Sequence, residues 1–340
     1  MAEQSTYQLF VGVDVAAASF TAAWSDNPTS RRTPYTFAQT PAGYAAFQEQ
    51  LLATKLAPST ILIVLEATGS YWVTLAFTLH QTGFVVSVVH PNHVHNYAKS
   101  LPQRAKTDSR DADLLAAFAR ERQPAPWTPP ADVYHELRQR LVARDALLEM
   151  RKQARNHLHA LAQWPVQIAT AKVQLEAVVA DLDQRIAALE REISTVLQES
   201  VWAESALLLQ TIHSIGPLTT AWLLVLTLNF QQCPTAAAAV AYAGLAPLPH
   251  ESGTSVRGRS RIGHGGNKRL RTTLYLATLN AARFNPVIRE FYQRLRAAGK
   301  PAKVARCAAA RKLLQIAWAV VTKRRAFDPQ YHAEQEALPV

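Results

Sequence analysis

A mixed α/β domain, then a long helical hairpin, then a mostly helical basic domain is what this sequence predicts. Three observations carry that reading. A continuous apolar run, Ile61 to Leu65, and a second buried strand, Phe84 to Val89, alternate with helical patterns before residue 123, as in an α/β sheet. Four of the 19 prolines fall in Gln123 to Pro130 (QPAPWTPP), a stiff boundary. Beyond it the chain turns long, charged and periodic, the pattern of amphipathic helices.

Taken in order, Tyr7 to Val15 is β-branched and aromatic and reads as a strand. Phe20 to Trp24 follows the small linker Ala16-Ala17-Ala18-Ser19 and completes a hairpin. Thr40-Pro41 places an N-cap before a proline at the first helical position, so Pro41 to Ala53 reads as a helix. Ile61 to Leu65 and Phe84 to Val89 are the buried strands, with a helix over Tyr71 to Thr82 between them. His90, His93 and His95 invite a metal reading, but strand-to-loop polar residues are the commoner explanation. Asp108 to Arg122 is rich in Ala and Leu and reads as a helix closing a first domain over residues 1–125.

Val133 to Leu161 and Ala171 to Leu197 form the expected hairpin or coiled coil, a middle domain over residues 130–200. Its stripe is Leu175, Val178, Leu182, Ile186, Leu189 and Ile193, at spacings of three and four. Trp164-Pro165 marks the turn. A third domain spans residues 205–330. It holds a Gly-rich basic loop from Ser252 to Asn267 and closing helices over Leu270 to Arg283 and Val304 to Lys323.

Composition narrows the function. The chain has 340 residues, enough for about two domains with an insert. Its 49% hydrophobic share excludes a mainly disordered chain. No apolar run approaches the length that spans a bilayer, and the N-terminus lacks the pattern of a secretory signal. Cys233 and Cys307 are the two cysteines, too few for a disulfide framework or a cysteine-based zinc site, so a reducing cytoplasm is expected. The 36 Lys and Arg outnumber the 25 Asp and Glu, a net charge of +11. Between Glu251 and Arg325 there are 18 Lys and Arg against two acids, Glu251 and Glu290, so the rest of the chain is slightly acidic. A basic segment this concentrated is the footprint expected of a polyanion partner, with a solvated basic face on an ordinary helical domain as the alternative; its Gly, Ser and Asn residues, which allow close approach to phosphates, favour nucleic acid.

Asp14 lies near the end of the first strand and Glu66 directly follows Ile61 to Leu65. Asp108 and Asp111 lie at i and i+3, on one face of one helix. Carboxylates at strand ends, joined by a pair on a helix, make a hard-oxygen site suited to Mg²⁺ or Mn²⁺. The bland alternative is that Asp108 caps its helix and Asp111 pairs with Arg104 or Arg110. Asp14 and Glu66 resist that alternative, because each ends an apolar strand, where an unpaired carboxylate is costly.

VGVDV at 11–15, LEATGSYW at 65–72 and KTDSRDADLLA at 106–116 resemble the N-terminal domain of the IS110-family transposases, including their IS1111 branch. The resemblance continues through YAGLAPLPHESGTSVRGRSRIGHGGNKRLRTTLYLA at 242–277 and ARKLLQIAWAVV at 310–321. It implies a RuvC-like, RNase H-type fold for the N-terminal domain, with the family's Asp-Glu-Asp-Asp acids falling on Asp14, Glu66, Asp108 and Asp111 as a Mg²⁺ site. The resemblance also implies a nucleophilic serine in a Ser-Gly motif, which aligns with Ser252; Ser255 and Ser260 compete for the role. His250 and His264 flank that loop, and no general base is obvious nearby in sequence. Arg257, Arg259, Arg261, Lys268, Arg269 and Arg271 are the expected phosphate contacts. By the same resemblance the partners would be donor and target DNA and a structured non-coding guide RNA. The active assembly would be a homodimer or tetramer with a composite site, and no membrane would take part.

Ile212 to Trp222 (IHSIGPLTTAW) resembles the turn of helix-hairpin-helix modules, with Ser214 where the first glycine usually stands and Gly216 at the second. Ser tolerates a positive φ poorly, so the turn reads equally as a simple packing element. The expected activity is that of an insertion-sequence transposase working through a phosphoserine–DNA intermediate. A water-using RuvC-like junction resolvase or nuclease, a site-specific DNA invertase and a non-catalytic nucleic-acid binder are the alternatives.

Overall fold

A computed structural model describes residues 7–24, 34–100, 108–252, 256–263 and 265–330, without the side chains of 108–110, 248–252 and 256–261. The expected site residues Ser255 and His264 lie outside these described residues. The chain divides into two compact units, Met1–Pro129 and Pro130–Val340, with the boundary inside the proline-rich segment.

In the first unit, β1 (Leu9–Val15), β2 (Ser19–Trp24), β3 (Tyr35–Ala38), β4 (Ile61–Glu66) and β5 (Val85–Val89) form one sheet in the order β3-β2-β1-β4-β5. The β1–β2 and β2–β3 pairs are antiparallel, and the β1–β4 and β4–β5 pairs are parallel. Helices α1 (Pro41–Leu52), α2 (Trp72–Gln81), α3 (Pro91–Ser100) and α4 (Asp108–Arg122) complete the unit. The predicted cap forms at α1, where the Gly43 N–H donates to Thr40 Oγ1 at 3.2 Å.

Two apolar cores lie on the two faces of the sheet. Ile61, Ile63 and Leu65 of β4 pack with Phe47 and Leu51 of α1 and Leu75 and Leu79 of α2. Leu62 and Val64 of the same strand pack with Val94 and Tyr97 of α3 and Leu115, Phe118 and Ala119 of α4. Burial on both faces is why β4 reads as an unbroken apolar run instead of an alternating one. Two elements differ from the sequence reading. Strand β3 carries one buried residue, Phe37, so it has no periodic signal. The stretch His90 to His95, expected as strand-to-loop, instead opens α3: His90 Nδ1 accepts from the Asn92 N–H at 3.1 Å, a cap that the histidine side chain supplies.

The second unit begins with α5 (Asp132–Leu161) and α6 (Ala169–Glu199), each about 45 Å long at ~1.5 Å per residue. Ion pairs link the two helices at Arg140–Glu192 (3.0 Å), Arg144–Glu190 (2.6 Å), Arg155–Asp183 (3.2 Å) and Arg151–Asp183. The α5 number rises as the α6 number falls, which defines an antiparallel hairpin. Arg151 beside Asp183 holds its carboxyl below the usual carboxylate range. The buried seam of α6 contains Leu182, Ile186, Ile193 and Leu197. Val178, expected in the stripe, is exposed, and Val179 takes the half-buried position. From Leu175 the spacing runs four and then three to Leu182, so the partner helix selects a heptad-like seam that skips Val178.

The remaining elements are α7 (Ala203–Gln210), α8 (Pro217–Thr227), α9 (Ala236–Tyr242), β6 (Pro247–Ser252), β7 (Val256–Ile262), α10 (Lys268–Phe284), α11 (Pro286–Ala297) and α12 (Ala302–Thr322). One apolar core joins Leu137 and Leu141 of α5 and Ile193 and Leu197 of α6 to α8, α10 and α12. The base of the hairpin is therefore rooted in the same core as the helices that follow it. Where a Gly-rich loop was expected after Ser252, β6 and β7 form a two-stranded antiparallel ribbon. Alternating arginine and small residues carry no apolar period, so the strand pattern was hidden. Helix α11, absent from the sequence reading, starts at Asn285-Pro286, where Asn285 Oδ1 accepts from the Ile288 N–H at 3.2 Å. Both cysteines are free, and burial pushes both thiols up. Among the described residues, no helix is long and apolar enough to cross a membrane.

Candidate functional site

The acids of the first unit are positioned by strand register. Gly12 of β1 pairs with Val64 of β4, and Val13 with Leu65. Val64 packs on the face that α4 covers. Gly12 lies on that face too, because a Cβ built there would strike the Ala112 carbonyl oxygen and the Ala116 nitrogen of α4. Side chains alternate along a strand, so Asp14 and Glu66 occupy the next positions on the same face, at the C-terminal edge of two adjacent parallel strands. Helix α4 starts with Asp108, and Asp111 immediately precedes the Ala112 that touches Gly12. The backbone thus brings three segments, distant in sequence, onto one face of the sheet, with the first turns of α4 against Gly12.

Asp14, Glu66 and Asp111 are each half-buried. Thr68 Oγ1 donates to Glu66 Oε1 at 2.8 Å, orienting that carboxylate. Among the described residues, no three His, Cys, Asp or Glu side chains close a metal cage, and the Asp108 side chain lies outside that description. An all-carboxylate donor set at strand ends fits a hard divalent cation in its chemistry. Gly12 carries no signal in the sequence beyond being a small residue two positions before Asp14.

In the second unit, Ser252 ends β6 and pairs with Val256 at the tip of the ribbon. Glu251 pairs with Arg257, and His250 with Gly258. The register then shifts, and Leu248 pairs with Arg261. Between those pairs, Arg259 and Ser260 of β7 oppose one residue of β6, which is a one-residue bulge. Directly opposed residues share a face, so Leu248, His250, Ser252, Val256, Gly258 and Arg261 occupy positions on one face of the ribbon. Glu251 and Arg257 lie on the other. Without the bulge, Arg261 would lie with Arg257, because a shift of one residue exchanges the faces of a strand.

The three basic positions after the ribbon differ in their surroundings. Lys268, the first residue of α10, is exposed. Arg269 stacks its guanidinium 4.2 Å from the Trp222 ring centroid and pairs with Asp145 of α5 at 2.6 Å. Arg271 Nη1 donates to the Ala243 carbonyl at 3.2 Å and the Gly265 carbonyl at 2.9 Å. Two of the three expected phosphate contacts are thereby engaged in holding the second unit together. In the turn between α7 and α8, Ser214 adopts φ +84°, a left-handed conformation that serine tolerates poorly. Gly216 caps α8 without a side-chain bond, followed by Pro217. Asn285, fully buried, donates from Nδ2 to the His213 carbonyl at 3.2 Å and fixes that turn.

Residues 11–163 match a transposase family model, the DEDD transposases of IS110 elements, and residues 206–293 match the transposase family of IS116, IS110 and IS902. The first match contains all four acids, and the second contains Ser252 and the ribbon. The pilin gene-inverting protein of Moraxella lacunata is 31% identical over 333 residues, covering 95% of this chain and 98% of the relative. An uncharacterized insertion element IS110 protein of Streptomyces coelicolor is 33% identical over 134 residues, 39% of this chain and 32% of the relative. A probable family 20 transposase of Pseudomonas aeruginosa is 26% identical over 308 residues, 79% of this chain and 86% of the relative.

Proposed function

The chain belongs to the IS110 family of transposases, and from that premise we propose that it cuts and rejoins DNA through a phosphoserine link on Ser252, with a divalent metal at its acidic cluster. The observation that carries the metal-dependent part is the delivery of Asp14 and Glu66 to one edge of the face on which α4, with Asp108 and Asp111, begins. The sheet order β3-β2-β1-β4-β5, antiparallel on one side of β1 and parallel on the other, supports the RuvC-like, RNase H-type reading.

Asp14, Glu66, Asp108 and Asp111 would hold Mg²⁺ or Mn²⁺. Bound there, the ion supplies Lewis-acid stabilisation of charge on phosphate oxygens. Ser252 attacks a phosphodiester; its Oγ–P bond forms as the bond from phosphorus to the leaving deoxyribose oxygen breaks. A hydroxyl from a second, similarly cut strand reverses the attack, so strands are exchanged without net hydrolysis. Arg257, Arg259, Arg261 and Lys268 neutralise phosphates, and Arg269 and Arg271 shape the start of α10 that presents Lys268. A structured non-coding RNA would choose donor and target DNA, and the working assembly would be a homodimer or tetramer.

Site-specific inversion is the second reading. It is favoured by the pilin gene-inverting relatives, which align over nearly their whole length, whereas the IS110 element protein aligns over about a third of its own. Both readings share the serine chemistry. The test is a denaturing gel of protein with Mg²⁺, labelled DNA carrying the element's ends and host RNA, comparing wild type with Ser252→Ala, Ser255→Ala and Asp14→Ala. A protein–DNA band lost in Ser252→Ala and Asp14→Ala, but kept in Ser255→Ala, is expected. Free cut ends without that band, persisting in Ser252→Ala, would establish a water-using nuclease instead.

A further inference from the structure

We propose that His250 is the general base that takes the Ser252 hydroxyl proton during strand cleavage and returns it during rejoining; this rests on Ser252 as the nucleophile. The two residues are i and i+2 on β6, so they occupy one face of the ribbon about 6.6 Å apart along the strand. His250 is opposed by Gly258, which has no side chain to fill the neighbouring position, and Ser252 by apolar Val256. The nearest acid, Glu251, pairs in register with Arg257 on the other face. Among the described ribbon positions that share the Ser252 face, His250 and Arg261 carry the ionisable groups. A guanidinium does not give up its proton in proteins, so Arg261 can hold a phosphate but cannot accept from serine. A neutral imidazole can accept a proton near neutral pH.

The step balances as follows. The Ser252 proton passes to an imidazole nitrogen of His250 while Oγ bonds to phosphorus. The leaving oxygen departs with the P–O electron pair and takes a proton from solvent water. On rejoining, the incoming hydroxyl attacks phosphorus and loses its proton to water. The departing Ser252 oxygen then recovers its proton from the imidazolium, leaving the enzyme unchanged.

The experiment is single-turnover formation of the protein–DNA adduct from pH 5.5 to 9, using the full-length protein, Mg²⁺, end-bearing DNA and host RNA. Wild type, His250→Ala, His250→Gln and Ser252→Ala are compared, with each variant's thermal unfolding recorded beside it. The wild-type rate should rise with pH through a single inflection as the base loses its proton. Both His250 variants should lose about 10²- to 10⁴-fold in rate, the range for removal of a general base, and should lose that inflection. Adduct formation that needs Ser252 but proceeds at the wild-type rate in His250→Ala overturns the assignment of His250. So does a slowed variant that retains the inflection, because that pattern marks a structural role. An adduct that survives Ser252→Ala, or cut ends with no adduct in wild type, overturns the serine reading and with it this proposal.

Discussion

Gly12→Ala tests whether α4 is seated on β1 in the way the proposed metal site requires. The added Cβ would overlap the Ala112 carbonyl oxygen and the Ala116 nitrogen and stand 2.7 Å from the Leu115 carbonyl carbon. Ordinary carbon–carbon contact is about 3.5–4.0 Å, so α4 must withdraw by about 1 Å. The obstructing atoms are helix backbone, which cannot rotate away as a side chain would. Withdrawal loosens Ala112, Leu115 and Ala119, all essentially fully buried. Overpacking of this kind costs about 1–3 kcal/mol. On the proposed metal role, the same shift moves the start of α4 relative to Asp14 and Glu66, and a misplacement of about 1 Å costs on the order of 10²-fold in rate. Urea unfolding measures the first loss, and Mn²⁺ titration followed by calorimetry measures weakened metal binding. Gly265→Ala, where an added Cβ meets nothing within 4 Å, is the control. A Gly12→Ala protein with wild-type stability and wild-type Mn²⁺ affinity would refute the seating of α4 and the shared edge built on it.

Further perturbations address other contacts. Arg269→Ala should cost about 1–2 kcal/mol in urea unfolding, from the ion pair to Asp145 and the stack on Trp222 together; a double-mutant cycle with Asp145→Ala should show coupling, and strict additivity would refute a stabilising Arg269–Asp145 pair. Asn285→Ala leaves the His213 carbonyl and the Ile288 N–H without their partner and should cost about 2–3 kcal/mol, read in the same assay. Burial pushes the Tyr97 phenol up to about 12 from its ordinary 10.0. The folded state therefore holds that proton more tightly than the unfolded chain. The resulting stability is intact below pH 10 and declines as the pH rises towards 12. Tyr97→Phe should flatten that decline, and the difference in phenolate absorbance between the two proteins should titrate near 12; titration near 10 would show that the ring is accessible.

Residue types and local periodicity already determined much of this protein. The apolar runs placed β4 and β5, Thr40-Pro41 placed the start of α1, and the proline cluster placed the boundary between units, because each signal is written within a few neighbouring residues. The order of short motifs identified the family, and the four acids and Ser252 are the residues on which the proposed chemistry rests. Tertiary structure decided which of these residues share a face. Register between β1 and β4 depends on residues some fifty positions apart, and Gly12 acquires its meaning only when α4, a hundred residues later, lies on it. The bulge that moves Arg261 to the Ser252 face is a relation between two strands and cannot be read along one. Val178 and Val179 are equally apolar, and the partner helix chooses between them. Arg269 and Lys268 carry the same charge in sequence, yet Asp145 and Trp222 engage the first and leave the second exposed. A sequence records what each side chain can do, whereas packing fixes which partner satisfies it and which groups remain for a substrate.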